Sequence, residues 1–322
     1  MRVLVTGGAG YIGSHACRAL AAAGHQPVVL DNLSTGHRCA VQWGPFVHGD
    51  IRNAAAVAAA LREHRIEAVM HFAALAYVGQ SVEDPNAYYE VNVGGLLSVL
   101  AAMNATRVRK IVFSSTCAVY GAPDMVPITE STACAPINPY GRSKLMCEHI
   151  LTDHAAAYGI GSVALRYFNA AGASADGAIG ESHDPETHLV PLVLRAAAGL
   201  LPHVTVMGTD YSTPDGSCIR DYVHVEDLAD AHLAALRHCR PGRFLPINLG
   251  TGSGVSVFEI ISAARAVTGR DIPVLAGERR HGDPAILVAD AARANAMLGW
   301  QARRSGLPDM IGTAWNWLCN QR

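Results

Sequence analysis

Lysine is almost absent from this sequence. Of its 25 lysine and arginine residues, only Lys110 and Lys144 are lysines. The formal net charge of −2 provides no basic excess, so we expect no nucleic-acid partner. No run of about eighteen apolar residues occurs, which predicts that no segment spans a membrane. The N-terminus also lacks the charged-then-apolar layout of a signal peptide, and this absence favours a cytoplasmic location.

Neither the cysteines nor the histidines show the spacing of a metal site. The 8 cysteines include no Cys-x-x-Cys pair, and their scatter is typical of reduced thiols that pack as small apolar residues. His183 and His188 are five residues apart, as are His149 and His154, which fits neither helical ligand spacing nor a Cys/His cluster. The sequence therefore predicts no bound metal.

Short apolar runs alternate with longer alanine- and leucine-rich segments in the first half of the chain. The runs are apolar almost throughout, which is typical of strands in a parallel sheet that is covered on both faces. Strands are predicted at 2–6, 27–30, 45–49, 67–72 and 109–115, and helices at 12–23, 53–64, 86–104 and 139–158. This alternation predicts an α/β fold with a Rossmann-like, doubly wound parallel sheet.

The composition of the sequence changes after the strand-like run 162–169, where a predicted loop rich in glycine, alanine and acidic residues begins. We therefore predict two domains. Residues 1–172 would form the Rossmann-like dinucleotide-binding domain, and residues 173–322 would form a smaller α/β substrate domain. Within that second domain, residues 218–250 are expected to pack back on the sheet.

A glycine-rich turn joins the first predicted strand to the first predicted helix. It contains Gly7, Gly10 and Gly13 in the segment VTGGAGYIGSH. Glycines at this spacing let the backbone turn tightly and approach a pyrophosphate, which then meets the positive end of the helix. Asp31 ends the second strand, where its carboxylate would bond an adenosine ribose and repel a 2′-phosphate. Together, the turn and the carboxylate predict NAD rather than NADP.

The carboxyl ends of the third and fourth predicted strands should line the same cleft, because ligands of open α/β sheets bind at that edge. The residues concerned are Asp50, Ile51, Phe72, Ala73 and Ala74. Asp50 is also a candidate N-cap for the helix that follows it.

Lys144 follows Tyr140 by four residues in the segment INPYGRSK. Asn138 can cap a helix here and Pro139 can occupy its first turn, so Tyr140 and Lys144 would share one helical face. A free tyrosine has a pKa of about 10, and a neighbouring ammonium with a positive nicotinamide ring would lower that pKa. Thr116, after the fifth strand, offers a hydroxyl to a substrate oxygen near Tyr140.

A hydroxyl, a tyrosine and a lysine beside NAD are the constellation of the extended short-chain dehydrogenase/reductase superfamily. The whole chain resembles the UDP-glucose/UDP-galactose 4-epimerases, particularly a bacterial and plant subgroup. The matching stretches are VTGGAGYIGSH, LDNLSTG, GDIRN, SSTCAVYG, INPYGRSK, LRYFNAAGA, HDPETHLVPL, RDYVHVEDLADAH, INLGTG and RRHGDPA, which span residues 3–290.

The resemblance implies an isomerase that interconverts UDP-galactose and UDP-glucose by transient C4 oxidation with tightly bound NAD. Tyr140 would act as general base and acid, Lys144 would tune it and hold the nicotinamide ribose, and Thr116 stands where the family usually has serine. The implied cofactor-binding residues are Gly7, Gly10, Tyr11, Ile12, Gly13, Asp31, Asn32, Ser34, Gly36, Asp50, Ile51, Phe72, Ala73, Ala74, Asn92, Ser114, Tyr140, Lys144 and Phe168. The implied substrate-binding residues are Thr116, Tyr140, Asn169, His188, Leu189, Thr205, Met207, Arg220, Arg280, Asp283 and Leu287.

Several positions depart from the common epimerase pattern. Ala76 replaces a cofactor-contacting lysine, His188 replaces an asparagine near the diphosphate, and Met207 replaces an aromatic residue that stacks on uracil. Leu287 occupies the position that gates the sugar pocket, and its intermediate size leaves UDP-GlcNAc and UDP-GalNAc open as substrates. The plant-like SSTCAVYG stretch also leaves interconversion of UDP-xylose and UDP-arabinose open.

Other functions conflict with particular features of the chain. Nucleotide-sugar dehydratases carry Asp-Glu where this sequence has Cys117 and Ala118, and decarboxylases keep a glutamate in that segment. A reductase would need a freely exchanging cofactor, and a non-catalytic NAD sensor would have no need for a tuned phenolate. The resemblance also suggests a homodimer that pairs the predicted helices 86–104 and 139–158.

Overall fold

A parallel sheet of seven strands forms the centre of the protein in the computed structural model, which describes residues 1–279 and 283–321. In chain order, the strands of the described residues are β1 (Arg2–Thr6), β2 (Gln26–Asp31), β3 (Phe46–His48), β4 (Ala68–His71), β5 (Lys110–Thr116), β6 (Gly161–Tyr167), β7 (Asn169–Ala171), β8 (Val204–Met207), β9 (Ile219–Arg220), β10 (Tyr222–His224), β11 (Phe244–Leu249), β12 (Val255–Ser256), β13 (Val274–Gly277) and β14 (Ile286–Leu287). The central sheet has the order β11-β6-β5-β4-β1-β2-β3. Because strand order runs outward in both directions from β1, the sheet is doubly wound and Rossmann-like, as predicted.

The α-helices are, in chain order, α1 (Tyr11–Ala22), α2 (Ala54–Glu63), α3 (Val78–Glu83), α4 (Pro85–Tyr88), α5 (Gly95–Thr106), α6 (Pro139–Tyr158), α7 (Leu189–Ala197), α8 (Val225–Ala235), α9 (Val257–Thr268), α10 (Ala292–Leu298) and α11 (Leu307–Asn320). Short 3-10 turns lie at Arg38–Ala40, Cys117–Tyr120 and Leu236–His238, and a π-helical segment lies at Tyr89–Gly94. None of the described helices is both long and apolar enough to cross a membrane.

Helices cover both faces of the sheet, which explains why its strands are apolar almost throughout. Val3 and Val5 of β1 point into one hydrophobic core together with Leu20 of α1. Leu4, between them, points into a second core together with Leu61 of α2. Since successive side chains of a strand alternate between faces, each strand needs apolar residues at every position.

Helix boundaries follow local signals at several places. The side chain of Asn138 accepts a hydrogen bond from the Gly141 amide at 2.8 Å, and Pro139 occupies the first turn of α6, as predicted. Gly24 lies just after α1 with a φ of +76°, in the left-handed region that favours glycine at a helix end.

Two helix predictions were wrong in detail. Asp50 does not cap α2, because the side chain of Asn53 accepts the hydrogen bond from the Ala56 amide instead. The predicted helix 86–104 consists of α4, the π-helical segment and α5 in direct succession. The π-helical segment adds a local irregularity that apolar periodicity does not reveal, and such irregularities are frequent at functional sites.

The second half of the chain divides its elements between the central sheet and smaller sheets. β11 pairs in parallel with β6 and forms one edge of the central sheet, while α8 packs in the same hydrophobic core as α1. β8 pairs with β13, β7 pairs with β10, and β9 pairs with both β12 and β14. A separate hydrophobic core gathers residues of α7, α9 and α11 around β8.

Candidate active site

The glycine turn between β1 and α1 closes tightly on the end of β4. Gly7 has a φ of +73°, and a Cβ there would lie 2.5 Å from the Ala73 nitrogen. A Cβ on Gly13 would lie 2.2 Å from the carbonyl oxygen of Gly7. By contrast, a Cβ on Gly10 would meet only that same carbonyl oxygen, at 3.3 Å, so the space in front of Gly10 is open.

The start of α1 leaves its backbone amides available to a ligand. Gly10 is the N-cap residue and has no side chain that could accept a hydrogen bond from the first turn. The first-turn amides of Tyr11, Ile12 and Gly13 therefore face the open space with the positive end of the helix dipole behind them. This arrangement suits an anionic group such as a pyrophosphate.

Asp31 holds the rim of this turn in place. Its side chain is 8% exposed, and its two carboxylate oxygens accept hydrogen bonds from the amides of Ala9 at 3.0 Å and Leu33 at 2.8 Å. The next residue, Asn32, accepts a hydrogen bond from the Ser34 amide at 3.1 Å. The carboxylate thus lies beside the glycine turn at the end of β2.

Gly36 and Asp50 bring two further loops to the same rim. A Cβ on Gly36 would lie 2.9 Å from the carbonyl carbon of Ala9, so this loop also packs directly on the glycine turn. Asp50 accepts a hydrogen bond from Asn32 at 3.1 Å and pairs with Arg52 at 2.8 Å. The hydrogen bond from Arg52 is the main reason that the pKa of Asp50 is lowered to about 2.

The backbone after β4 forms the opposite wall. The amides of Phe72 and Ala73 both donate to the carbonyl of Thr6, at 2.9 and 3.1 Å, which places residues 72–74 directly beside the glycine turn. Asn92 lies behind this wall, in the π-helical segment, and its amide group bonds Leu75 and Ser143. Both polar atoms of the Asn92 side chain thus have protein partners, and these hydrogen bonds connect the wall to α6.

Tyr140, Lys144 and Thr116 meet at the carboxyl edge of β5. Lys144 is 3% exposed, and its ammonium donates a hydrogen bond to the Ser114 carbonyl at 2.9 Å and lies 4.9 Å from the centre of the Phe113 ring. The same ammonium lies 6.0 Å from the centre of the Tyr140 ring. The Ser114 hydroxyl is hydrogen-bonded to the hydroxyl of Tyr167.

Burial opposes charge on both catalytic candidates. It raises the pKa of Tyr140 above its ordinary value, with a smaller contribution from Tyr167, while an interaction with Thr116 acts in the opposite direction. Burial likewise lowers the pKa of Lys144 to about 8. The sequence predicted a lowered tyrosine pKa from the ammonium together with a nicotinamide ring. In the protein alone the pKa of Tyr140 is raised instead, chiefly by burial.

The candidate substrate residues lie on the elements that face this edge. Arg220 of β9 pairs with Asp283 at 3.0 Å and stands opposite Leu287 of β14 in register. Leu287 is 8% exposed and packs in one apolar cluster with Phe168. Burial raises the pKa of the Cys117 thiol, which directly follows Thr116, to about 12, and the charge of Arg220 opposes that rise. The structure thus brings Arg220 and Leu287 towards the catalytic end.

Further candidate residues lie on β7, on β8 and at the start of α7. Thr205 and Met207 belong to β8, and Asn169 begins β7. Leu189 is the first residue of α7, and His188 is its N-cap. Arg280 lies outside the described residues.

A family model described as "NAD dependent epimerase/dehydratase family" matches residues 3–250. The chain belongs to this family. It is 50% identical over 316 residues to the UDP-glucose 4-epimerase of Rhizobium meliloti (strain 1021), a match that covers 98% of this chain and 96% of that protein.

Solved structures of this epimerase/dehydratase family are also similar along the whole chain. The UDP-glucose 4-epimerase of Brucella ovis, in complex with NAD, is 54% identical with a TM-score of 0.95, over 98% of this chain and 97% of that one. An epimerase from Stenotrophomonas maltophila, with bound NAD and formylated UDP-arabinopyranose, is 44% identical with a TM-score of 0.96, over 100% and 98%.

A buried ion pair close in sequence to Lys144 was not predicted from the sequence. Glu148 is on α6, four residues after Lys144, and pairs with Arg166 of β6. The helical spacing places Glu148 on the same face as Lys144, so the carboxylate could have been noticed. The sequence could not identify Arg166 as its partner, because Arg166 lies on β6 and only the fold brings it to Glu148.

Sequence reasoning also missed a cluster of two glutamates and two histidines. Glu181, His183, Glu186 and His188 have potential ligand atoms that all lie within 4.8 Å of one another. The prediction of no metal considered the spacing of cysteines and histidines and left out the neighbouring carboxylates of Glu181 and Glu186. Burial opposes the charged imidazoles, but the two carboxylates outweigh it and raise the pKa of His183 to about 9 and that of His188 to about 10.

Proposed function

We propose that this chain is a UDP-glucose 4-epimerase that interconverts UDP-glucose and UDP-galactose with NAD as a retained cofactor. The observation that carries the proposal is the meeting of Thr116, Tyr140 and Lys144 beside an open glycine turn, in a chain about half identical to UDP-glucose 4-epimerases over almost its whole length. When bound, the dinucleotide supplies a reversible acceptor for the C4 hydride of the sugar.

The cofactor is proposed to bind across the rim described above. The first-turn amides of α1 would hold the pyrophosphate, and Asp31 would accept hydrogen bonds from the adenosine ribose. Arg38, which lies beyond Asp31, has its guanidinium carbon 4.7 Å from the centre of the Phe46 ring. The carboxylate of Asp31, which would repel a 2′-phosphate, supports NAD over NADP.

In the chemical step, the Tyr140 oxygen would take the proton of the sugar 4-hydroxyl while the C4 hydride leaves. It would return that proton to the 4-oxygen of the keto sugar when hydride is added back to the opposite face of C4. Thr116 would hold the same hydroxyl by a hydrogen bond. Lys144 would be drawn from the Ser114 carbonyl towards the ribose hydroxyls, and its ammonium would then lie near the Tyr140 oxygen. Since burial in the protein alone raises the pKa of Tyr140, a positive charge beside the ring is needed to favour the phenolate.

The nucleotide must stay fixed while the keto sugar turns over. Arg220 is proposed to bind the diphosphate, for which its guanidinium would have to share or exchange the Asp283 carboxylate 3.0 Å away. His188 can contribute through Nε2, because its Nδ1 already lies 3.0 Å from Glu186. Leu287 would form an apolar wall of the sugar pocket with Phe168.

The decisive experiment is to incubate the purified protein with UDP-galactose, without added cofactor, and to follow the sugars by chromatography. Formation of UDP-glucose without accumulation of NADH would support internal redox with retained NAD. Tyr140→Phe should abolish this conversion while NAD stays bound, whereas Tyr158→Phe, on the same helix but 53% exposed, should leave it unchanged. Conversion of UDP-arabinose or UDP-GlcNAc but not of UDP-galactose would overturn the choice of sugar.

Three further features of the protein belong to the same proposal. We propose a boundary between an NAD-binding domain at 1–172 and a substrate domain at 173–322, which the separate core around α7, α9 and α11 supports. We propose a homodimer through the helices at 86–104 and 139–158, where Leu97 and Met146 are each 45% exposed. A light-scattering mass equal to one chain would exclude the dimer. A cytoplasmic location is proposed from the sequence alone.

A further inference from the structure

The loop between β7 and α7 gathers four side chains that are typical metal ligands. Nδ1 of His188 lies 2.9 Å from an oxygen of Glu181 and 3.0 Å from an oxygen of Glu186. Nδ1 of His183 lies 3.2 Å from Glu181 and 3.6 Å from Glu186. All four ligands come from the eight-residue segment 181–188, with the pattern Glu-x-His-x-x-Glu-x-His.

These separations are close to the edges of a coordination tetrahedron, although most of them are shorter. Zinc binds imidazole nitrogen and carboxylate oxygen at about 2.0–2.2 Å, which places neighbouring ligand atoms of a tetrahedral site about 3.3–3.6 Å apart. Of the four distances between nitrogen and oxygen in the cluster, 2.9, 3.0 and 3.2 Å are shorter than that range and 3.6 Å reaches its upper end. Because the four ligand atoms lie within 4.8 Å of one another, side-chain movements of about an ångström would complete a tetrahedral shell.

The environment of His183 indicates a missing partner. Its Nδ1 atom is buried and forms no hydrogen bond, although a carboxylate oxygen lies 3.2 Å away. The ring is therefore not aimed at that oxygen as a normal donor would be. A buried nitrogen without a hydrogen bond is costly, and a cation between the four ligands would displace the proton of this imidazole and bind the lone pair of Nδ1.

Charge and support also fit a divalent ion. The side chains of Glu181 and Glu186 are only 7% and 4% exposed, and buried carboxylates need a counter-charge. Once a metal ion displaces the imidazole protons, the two carboxylates balance one 2+ charge. Glu186 is oriented by hydrogen bonds from the amides of Thr187 and His188, both at 2.8 Å. The carbonyl of Glu181 accepts a hydrogen bond from the Trp317 indole at 2.9 Å.

We propose that Glu181, His183, Glu186 and His188 bind one zinc ion. Nitrogen and oxygen donors in a tetrahedral set favour zinc among the common divalent ions, whereas magnesium prefers six oxygens in an octahedron. The ion would tie the loop before α7 to the start of α1, since the Tyr11 ring lies 6.4 Å from the ring of His183. Its role would be structural, because four protein ligands leave no open position.

The test uses untagged, full-length protein that has been dialysed against EDTA, supplied with one equivalent of zinc and desalted. Elemental analysis should find about one zinc per chain, and X-ray absorption should show a shell of nitrogen and oxygen with no sulfur. Magnesium added in the same way should not be retained. Competition with a chromophoric chelator then gives the affinity of the wild type and the variants.

His183→Gln and Glu186→Gln should each lower zinc affinity by at least tenfold, and His203→Gln, outside the cluster, should leave it unchanged. Circular dichroism and the bound NAD content check that each variant is folded, and either variant alone suffices if the other does not fold. Zinc should also raise the thermal midpoint of the wild type relative to EDTA. No retained zinc in the wild type, or equal affinity in all three variants, would overturn the proposal.

Discussion

The buried ion pair between Glu148 and Arg166 offers a prediction with a magnitude that follows from the structure. Their side chains are 2% and 6% exposed, and Arg166 also donates from Nε to Glu148 at 2.9 Å and from Nη1 to the Tyr120 hydroxyl at 2.8 Å. Ser115 donates to the same glutamate at 2.6 Å. The pair therefore connects α6, which carries the catalytic candidates, to β5 and β6.

Glu148→Leu should lower the free energy of unfolding by about 3–5 kcal/mol, because it leaves the guanidinium of Arg166 buried without a counter-charge. The double variant Glu148→Leu with Arg166→Met should cost much less than the sum of the two single variants, since it removes both charges and fills the space with apolar atoms. Urea denaturation followed by circular dichroism, at equal added NAD, measures all three.

An exposed ion pair provides the matched control. Arg18 pairs with Asp176 at 2.7 Å, but their side chains are 31% and 54% exposed. Arg18→Gln should therefore change the free energy of unfolding by less than about 1 kcal/mol. The reasoning would be refuted if Glu148→Leu cost no more than this control, or if the costs of the two single variants simply added in the double variant.

Two further predictions concern the cofactor turn and the response to acid. Gly13→Ala should abolish NAD retention, measured by absorbance of the purified protein, because its Cβ would lie 2.2 Å from the Gly7 carbonyl oxygen; Gly312→Ala, whose Cβ would meet no atom within 4 Å, should retain NAD fully. Burial lowers the pKa of His232 to about 4. Below a pH of about 6.5 this histidine is therefore protonated in the unfolded chain but stays neutral in the folded protein, so the free energy of unfolding falls as the pH drops. Between pH 7 and pH 4, His232→Leu should therefore lose about 3 kcal/mol less stability than the wild type in urea titrations; equal losses would show that His232 does not contribute.

Features that depend on neighbours in the chain were predictable from the sequence. The strands and helices of the first half follow from apolar periodicity, and the cap at Asn138 follows from residues within one helical turn. The spacing of Tyr140 and Lys144 places both on one face of α6 for the same reason. The prediction that Asp50 caps α2 shows the limit of such reasoning. A second residue able to cap the helix, Asn53, follows only three positions later, and Asn53 is the N-cap.

The sequence by itself determined the doubly wound sheet, the glycine turn and the identity of the catalytic candidates, since these depend on local periodicity, backbone freedom and side-chain chemistry. Only the tertiary structure decided where those side chains point. The ammonium of Lys144 donates a hydrogen bond to the carbonyl of Ser114, thirty residues away in the chain. The side-chain amide of Asn92 forms hydrogen bonds with Leu75 and Ser143. Such partners are chosen when the sheet packs against its helices, because a desolvated polar group must bond whichever neighbour the fold brings within reach.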